Sequence, residues 1–557
     1  ENLITRAEFD EANAAPVTAI RRNRNIEVPA PYVAEMVRQT LFEQFRQETY
    51  TRGFEVITSI DGDKQLAANR ALVNGLENQY DKPHGYRGPD ANYPAAAEDP
   101  TPDWLEHLAP VPSYGNQQPA IVTSVRERAF SALLKDGTEI DVPWDGIRWA
   151  YAFRSRNEAW PPPRVAGDAV QIGDLIRVKP GLDHWELGQV PDVQGALVSI
   201  SPNNGQILAL VGGYDFRWNQ VNRVLTPRPP GSNFKPFVYG AALEAGFSAS
   251  STINDAPFAR GDYRPGNYEN NFLGPITLRH ALKESRNIPT IRLFDELGSK
   301  QVLSFANRLG IRTQDFPSND LTVALGSADV QPLEMVTAYA TLANGGFKVD
   351  PWFIEQISTE ADGALYRARP AVVCPDCGGL ISEAEQPVNT APRVLDERIA
   401  FIMNSMLRSV VEEGSGNRVQ RDLQRSDLMG KTGTTNGPQE LWFSGFNRDI
   451  ATTVFVGFDQ PQPLGEREQG ATVAVPIWIN FMRDALAGAP EVTMNRPNGI
   501  VDRLVDRQTG VPATPGAANS MFEYYRVELA PQPAAAGLPG IDHDGEDREE
   551  VSTETIF

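Results

Sequence analysis

The chain has little cysteine: two residues in 557, Cys374 and Cys377, in the string Cys-Pro-Asp-Cys. There is no second cysteine pair to complete a zinc site and no thioredoxin-like context around this one. A loop disulfide in an oxidising compartment is the preferred reading, with a redox pair or half a zinc site as the alternatives. The five histidines are scattered and form no ligand cluster, so neither a metal nor another cofactor is expected. Positive charge is also short. Fifty-one Lys and Arg against 72 Asp and Glu leave a net charge of −21, which argues against a nucleic-acid partner, since that needs a basic surface. The stretch from Asp542 to Glu554 holds seven acids and one arginine and reads as disordered. No apolar run reaches the roughly 18 residues a membrane helix requires, and no stretch reads as a signal peptide. The first residue is Glu1, not Met, so membrane anchoring is expected only through a segment missing upstream.

What is present is ordinary for a globular protein: 41% hydrophobic and 22% charged residues. At this length several domains are expected rather than one core. The most informative stretch is Pro229-Pro230-Gly231-Ser232-Asn233-Phe234-Lys235-Pro236-Phe237. Proline costs roughly 3 kcal/mol inside a helix but is tolerated in the first turn, so a helix through Pro236 should start close to Ser232. Residues at i and i+3 share a helix face, so Lys235 is expected to reach the Ser232 oxygen. A lysine can act as base for a serine when burial or another cation lowers its pKa. A helix N-terminus also favours developing negative charge.

Two further strings join this one. Lys431-Thr432-Gly433-Thr434-Thr435 follows Asp427-Leu428-Met429-Gly430, with a turn at Asn436-Gly437-Pro438 and a strand through Leu441-Trp442-Phe443. Ser285-Arg286-Asn287 follows a helix-like run from Thr277. S-x-N also occurs at Ser155, Ser201 and Ser415, but these lie before the first motif, in a hairpin turn and in a Gly-flanked loop. Ser285 lies between the other two motifs and joins two helical segments.

S-x-x-K, S-x-N and K-T-G in this order make the chain resemble the penicillin-recognising serine acyl-transferases. The longer strings, Arg228-Pro229-Pro230-Gly231-Ser232 and Gly430-Lys431-Thr432-Gly433-Thr434-Thr435-Asn436, look like a class A penicillin-binding protein of the Gram-negative 1a kind. That family carries a glycosyltransferase and a transpeptidase on one chain. The implied fold is α/β: an antiparallel sheet sandwiched by helices with an all-helical subdomain, plus a small OB-like β-barrel.

The resemblance also organises the chain. Residues 1–106 are expected to be a linker region following a glycosyltransferase whose catalytic body is absent here. It includes Ile4 to Phe9, an acidic helix ending near Ala15-Pro16-Val17, a helix from Tyr32 to Tyr50, a strand from Phe54 to Ile60, a helix from Asp61 to about Tyr80, and a loop over residues 81–106. Residues 107–191 read as short strands without a strong helix, the OB-like domain. Residues 192–527 are the expected D,D-transpeptidase, with loops and one aromatic run, Met521 to Tyr525, after about residue 515. Residues 528–557 form an acidic tail.

The resemblance implies roles. Ser232 attacks a peptide ending in D-Ala-D-Ala, with Lys235 as its base. Ser285, hydrogen-bonded between Lys235 and Lys431, relays the proton to the leaving amine. Asn287 holds the substrate backbone and helps position Lys235. Lys431 keeps Lys235 neutral and attracts the substrate carboxylate, which Thr432 and Thr434 bind. Gly433 lets the strand lie close to the ligand. The backbone N–H groups of Ser232 and Thr434 form the oxyanion hole. Trp442 and Phe443 read as core, Tyr239 as packing and Arg286 as surface; the Gly414-Ser415-Gly416 turn reads equally as cleft lining or a helix stop. Implied partners are peptidoglycan stem peptides, β-lactams bound covalently at Ser232, and a regulator docking on the OB-like domain. The implied location is the periplasm, attached to the inner membrane. The competing readings are a D,D-carboxypeptidase, a β-lactamase, and a non-catalytic β-lactam sensor or scaffold.

Overall fold

The computed structural model describes Thr5, Arg6 and residues 26–95, 100–158, 160–375, 377 and 389–533. The helix expected before Val17, most of the Ile4–Phe9 string, and the tail beyond residue 533 lie outside the described residues. The described chain opens its regular structure with helix α1, Pro31–Phe45, followed by a 3-10 turn at Arg46–Tyr50. Strand β1, Phe54–Thr58, leads into helix α2, Gly62–Gly75, whose first turn is capped by Asp61: its carboxylate accepts from Lys64 N at 3.0 Å. From Leu76 to Asp81 the helix widens into a π turn, and this turns Glu77, Tyr80 and Asp81 inward, all 3% exposed or less.

The OB-like region contains β2, Ala91–Asn92; α3, Thr101–Leu108; β3, Gln118–Arg126; β4, Ala129–Leu134; β5, Glu139–Pro143; β6, Asp174–Pro180; and β7, Trp185–Gly188. Helix α3 falls inside the stretch expected to be loop. Pro102 lies in its first turn, where proline starts a helix rather than breaking it, and Trp104 and Leu108 anchor one face in a small core. The six strands form one antiparallel sheet, β2-β6-β3-β4-β5 with β7 on β6. Ala120, Val122, Phe130, Ala132, Ile176 and Val178 line its inner face. The ladder stays open where a closed barrel was expected. β5 and β7 touch without pairing, because the 3-10 turn Trp144–Gly146 packs against β7; a Cβ on Gly146 would meet Trp185 O at 2.5 Å.

The third region opens with the hairpin β8, Gln194–Ile200, and β9, Ile207–Val211. Helices α4, Lys235–Glu244; α5, Leu278–Lys283; α6, Asn287–Leu297; α7, Ser299–Leu309; and α8, Pro332–Ala343, follow, with a small hairpin of β10, Thr252–Asp255, and β11, Gly274–Thr277. Strands β12, Ile354–Thr359, and β13, Gly363–Arg367, extend β1 into a three-stranded sheet. The disulfide Cys374–Cys377 closes the loop beyond. Then come α9, Glu397–Glu412; α10, Arg418–Leu423; β14, Met429–Thr434; β15, Glu440–Phe446; β16, Ala451–Gly457; and α11, Ala474–Ala485. A final hairpin joins β17, Ile500–Asp506, to β18, Ser520–Arg526. The aromatic run at Met521–Tyr525 lies in this last strand. Its alternation places Tyr525 inward, 1% exposed, and Phe522 outward, 67% exposed.

The central sheet is antiparallel in the order β14-β15-β16-β8-β9. Side chains alternate between two cores. Ala196, Val198, Trp442 and Phe455 face the helices α4 to α9, while Leu197, Phe443, Val454 and Val456 face α2 and α11. Helix α4 is buried through Phe237, Val238, Tyr239, Ala241, Ala242 and Leu243; each fully buried large side chain contributes about 1.5–3 kcal/mol. Among the described residues no helix is long and apolar enough to cross a membrane.

The π turn fastens the OB-like sheet to the central one. Glu77 accepts from Lys179 Nζ of β6 at 2.6 Å, from Tyr214 OH at 2.6 Å and from Gln117 Nε2 at 2.9 Å, and all four are buried. Glu77→Ala would strand the Lys179 ammonium. We expect a loss of about 3–5 kcal/mol in unfolding stability, the usual penalty for removing one partner of a buried pair. A loss under about 1 kcal/mol would show that Glu77 is not the fastening.

Candidate active site

Ser232 lies in a 3-10 turn, Gly231–Phe234, that runs directly into α4 at Lys235, with Pro236 in the first helical turn. Two glycines let this turn dock closely. Gly231 has φ +55°, and a Cβ there would lie 2.6 Å from Thr434 O; Gly326, at φ +73°, would place a Cβ 2.2 Å from Gly231 O. Asn233 Nδ2 donates to Lys431 O at 2.6 Å, tying the turn to β14, the edge strand of the central sheet.

Lys235 and Lys431 are both completely buried. Lys235 Nζ donates to Ser285 O at 2.5 Å, Asn287 Oδ1 at 2.8 Å and Arg286 O at 3.1 Å, and lies 3.4 Å from Ser285 Oγ. Lys431 Nζ donates to Ser285 Oγ at 2.8 Å, Thr432 O at 3.0 Å and Thr432 Oγ1 at 3.3 Å. Burial, and after it the positive Lys431, hold the Lys235 ammonium well below its ordinary range. Burial pushes Lys431 down to about 7.

Ser285 separates α5 from α6 with φ +57°, a conformation that costs a non-glycine residue on the order of 1–3 kcal/mol. That turn presents its carbonyl and its hydroxyl to Lys235 together. Bonds from Ser285 N to Leu282 O and from Arg286 N to Ala281 O fix it. Asn287 is held in turn, with N donating to Asn267 Oδ1 at 2.9 Å and Nδ2 to Gly266 O at 3.0 Å. Ser232, Asn287, Tyr263, Arg264, Thr434 and Gln439 line one cleft of about 520 Å³.

Two expectations need correction, those for Lys235 and Arg286, and the one for Gly433 gains a second cause. Among the described residues no hydrogen bond joins Lys235 Nζ to Ser232 Oγ; the carbonyl, amide and hydroxyl oxygens of residues 285–287 occupy the amine instead. Gly433 is small because of the protein and not only for a ligand: a Cβ there would meet Pro230 O at 2.4 Å and Asn233 Cβ at 2.9 Å. Arg286 is not at the surface. It is 4% exposed and pairs with Asp255 at 2.7 Å and Glu269 at 2.9 Å. Thr432 and Thr434 already have partners: Thr432 Oγ1 lies 2.9 Å from Ser415 Oγ, and Thr434 Oγ1 accepts from Gly470 N at 3.0 Å.

Two residues at the site were given no role by the motifs. Ser415 reads in the sequence as cleft lining or a helix stop, not as a partner of Thr432. Glu440 lines the cleft, 2% exposed, paired through Oε1 with Arg228 at 3.3 Å. Burial pushes its carboxyl up to about 7. The only hint in the sequence is an acid opening the apolar run Glu440-Leu441-Trp442-Phe443.

The tight seat at Gly433 yields a direct expectation. Gly433→Ala should cost about 1–3 kcal/mol of unfolding stability, as overpacking does, because the new methyl group meets backbone. An unchanged stability would mean that the Ser232 turn can retreat freely.

The chain is also similar to known proteins. A family profile described as "Penicillin binding protein transpeptidase domain" matches residues 195–483, and one described as "Penicillin-binding protein OB-like domain" matches residues 86–193. The chain is 40% identical to Penicillin-binding protein 1A of Pseudomonas aeruginosa, over 96% of this chain and 69% of that protein. It is 35% identical to Penicillin-binding protein 1A of Escherichia coli, over 94% and 70%. The crystal structure of Penicillin-Binding Protein 1A from Haemophilus influenzae superposes with a TM-score of 0.83 at 31% identity, covering 95% of this chain and 80% of that one. The chain therefore belongs to the penicillin-binding protein family, carrying its transpeptidase domain and its OB-like domain.

Proposed function

We propose that this chain is a peptidoglycan D,D-transpeptidase that works through an acyl-Ser232 intermediate and is a target of β-lactams. The observation that carries the reading is a hydroxyl shared by two buried amines: Lys431 at 2.8 Å and Lys235 at 3.4 Å both reach Ser285 Oγ, and Lys235 directly follows the turn that bears Ser232.

In this reading Ser232 Oγ attacks the carbonyl of the penultimate D-Ala. Its proton passes to Lys235, which burial and Lys431 keep neutral and therefore basic. Ser285 hands a proton on to the nitrogen of the departing D-Ala as the C–N bond breaks. The amine of a neighbouring stem peptide then attacks the acyl-Ser232 ester, and its proton returns along the same path. The backbone N–H groups of Ser232 and Thr434 receive the oxyanion; one such donor is worth on the order of 3 kcal/mol. The substrate carboxylate sits against Lys431, Thr432 and Thr434, while Asn287 holds both the substrate backbone and Lys235.

The rest of the protein follows the same reading. Residues 1–106 serve as linker, 107–191 as the OB-like domain, where a regulator docks, and 192–527 as the transpeptidase; residues 528–557 form the tail. The full-length protein also carries the glycosyltransferase and works in the periplasm, attached to the inner membrane.

Two measurements test this. A fluorescent penicillin should label the protein covalently and stably through denaturing electrophoresis, and Ser232→Ala should remove the label. Absent labelling, or full labelling of the variant, would overturn the reading. The second-order acylation constant reports the free enzyme's groups. It should therefore decline above about pH 7 as Lys431 loses its proton, by roughly an order of magnitude by about pH 8.5. A constant that stays level to about pH 9 would remove the charge of Lys431 from the mechanism.

A further inference from the structure

The mechanism above leaves one hydroxyl of the cluster without a task. Ser415 Oγ lies 2.9 Å from Thr432 Oγ1. Its turn leaves the end of α9 and is fixed by backbone: Gly416 N donates to Val410 O at 3.0 Å and Ser415 N to Lys283 O at 3.2 Å. A Cβ on Gly414 would lie 2.4 Å from Lys283 O, so only glycine allows this approach. Lys283 closes α5, two residues before Ser285. The turn carrying Ser415 is thus keyed to the same helix end that presents Ser285 to the two lysines.

A hydroxyl gives one proton and accepts two. Thr432 Oγ1 already accepts from Lys431 Nζ at 3.3 Å. A proton given by Ser415 fills its second acceptor position, and the Thr432 O–H is then left free of both partners. Were the bond reversed, Thr432 would give its only proton to Ser415 and have none for a ligand. We propose that Ser415 is a positioning residue for carboxylate recognition: it donates to Thr432 and so aims the Thr432 proton at the carboxylate of the acyl donor. This rests on the reading of Lys431 and Thr432 as the carboxylate site.

The test compares benzylpenicillin with its methyl ester, which lacks the carboxylate, by competition with a fluorescent penicillin for Ser232. Ser415→Ala should reduce the preference of the enzyme for the free acid by about five- to tenfold, the scale of one net hydrogen bond. The change should fall on the binding constant, with the limiting acylation rate and the reaction of the ester unchanged. Ser415→Thr should restore the preference. Adding Ser415→Ala to Thr432→Ala should cause no further loss. A Ser415→Ala variant that discriminates like the wild type, or one that slows acid and ester equally, would overturn the inference and leave the transpeptidase reading intact. A further loss on top of Thr432→Ala would also contradict it. A wild type that is acylated without preferring the acid would overturn the carboxylate site and this inference together.

Discussion

Two lysine amines, Lys235 and Lys431, are buried in this protein around one hydroxyl. Among the described residues neither Lys235 nor Lys431 is in an ion pair; their partners are carbonyl, amide and hydroxyl oxygens. Burying a charge this way is expensive, and the amines respond by giving up their protons far more readily than exposed lysines do. The strained backbone of Ser285 and the tight seat of Gly433 both serve to hold these two amines against one hydroxyl. A carboxylate in that pocket would keep an amine charged, since a paired lysine holds its proton.

The architecture delivers the cluster from three sources. A turn before α4 brings Ser232, the gap between α5 and α6 brings Ser285 and Asn287, and the edge strand β14 brings Lys431. Because β14 is an edge strand, its outer side is turned to the Ser232 turn and the cleft instead of another strand. The OB-like domain reaches the same region through one loop. Arg156 Nη1 donates to Pro463 O at 3.2 Å and Asn157 Oδ1 accepts from Glu466 N at 2.8 Å. A few residues on, Gly470 N donates to Thr434 Oγ1.

Much of this was legible in the sequence because it is local. Pro236 marks a helix start, and Gly430 to Asn436 marks a strand and turn. What was not legible depends on distant chain. Nothing near Ser285 reveals that its carbonyl, as well as its hydroxyl, is aimed at a lysine 50 residues away. Arg286 looks like a surface residue until Asp255 and Glu269 close around it. Gly433 reads as ligand clearance because the sequence cannot show Pro230 O pressing on it. Ser415 has no signature, since its partner Thr432 lies 17 residues on and the contact forms only when α9 and β14 pack. The hairpin β17–β18 was missed because Pro and Gly around residue 515 masked the alternation of the strand that follows.

The central claim concerns the protonation of two particular amines, and carbon-13 NMR of the lysine ε-carbons across a pH titration reads it directly, with Lys235→Arg and Lys431→Arg variants assigning the signals. The account predicts two resonances apart from the rest, that of Lys431 titrating about pH 7 and that of Lys235 titrating well below an ordinary lysine. Both signals titrating with the exposed lysines, near pH 10.5, would contradict it.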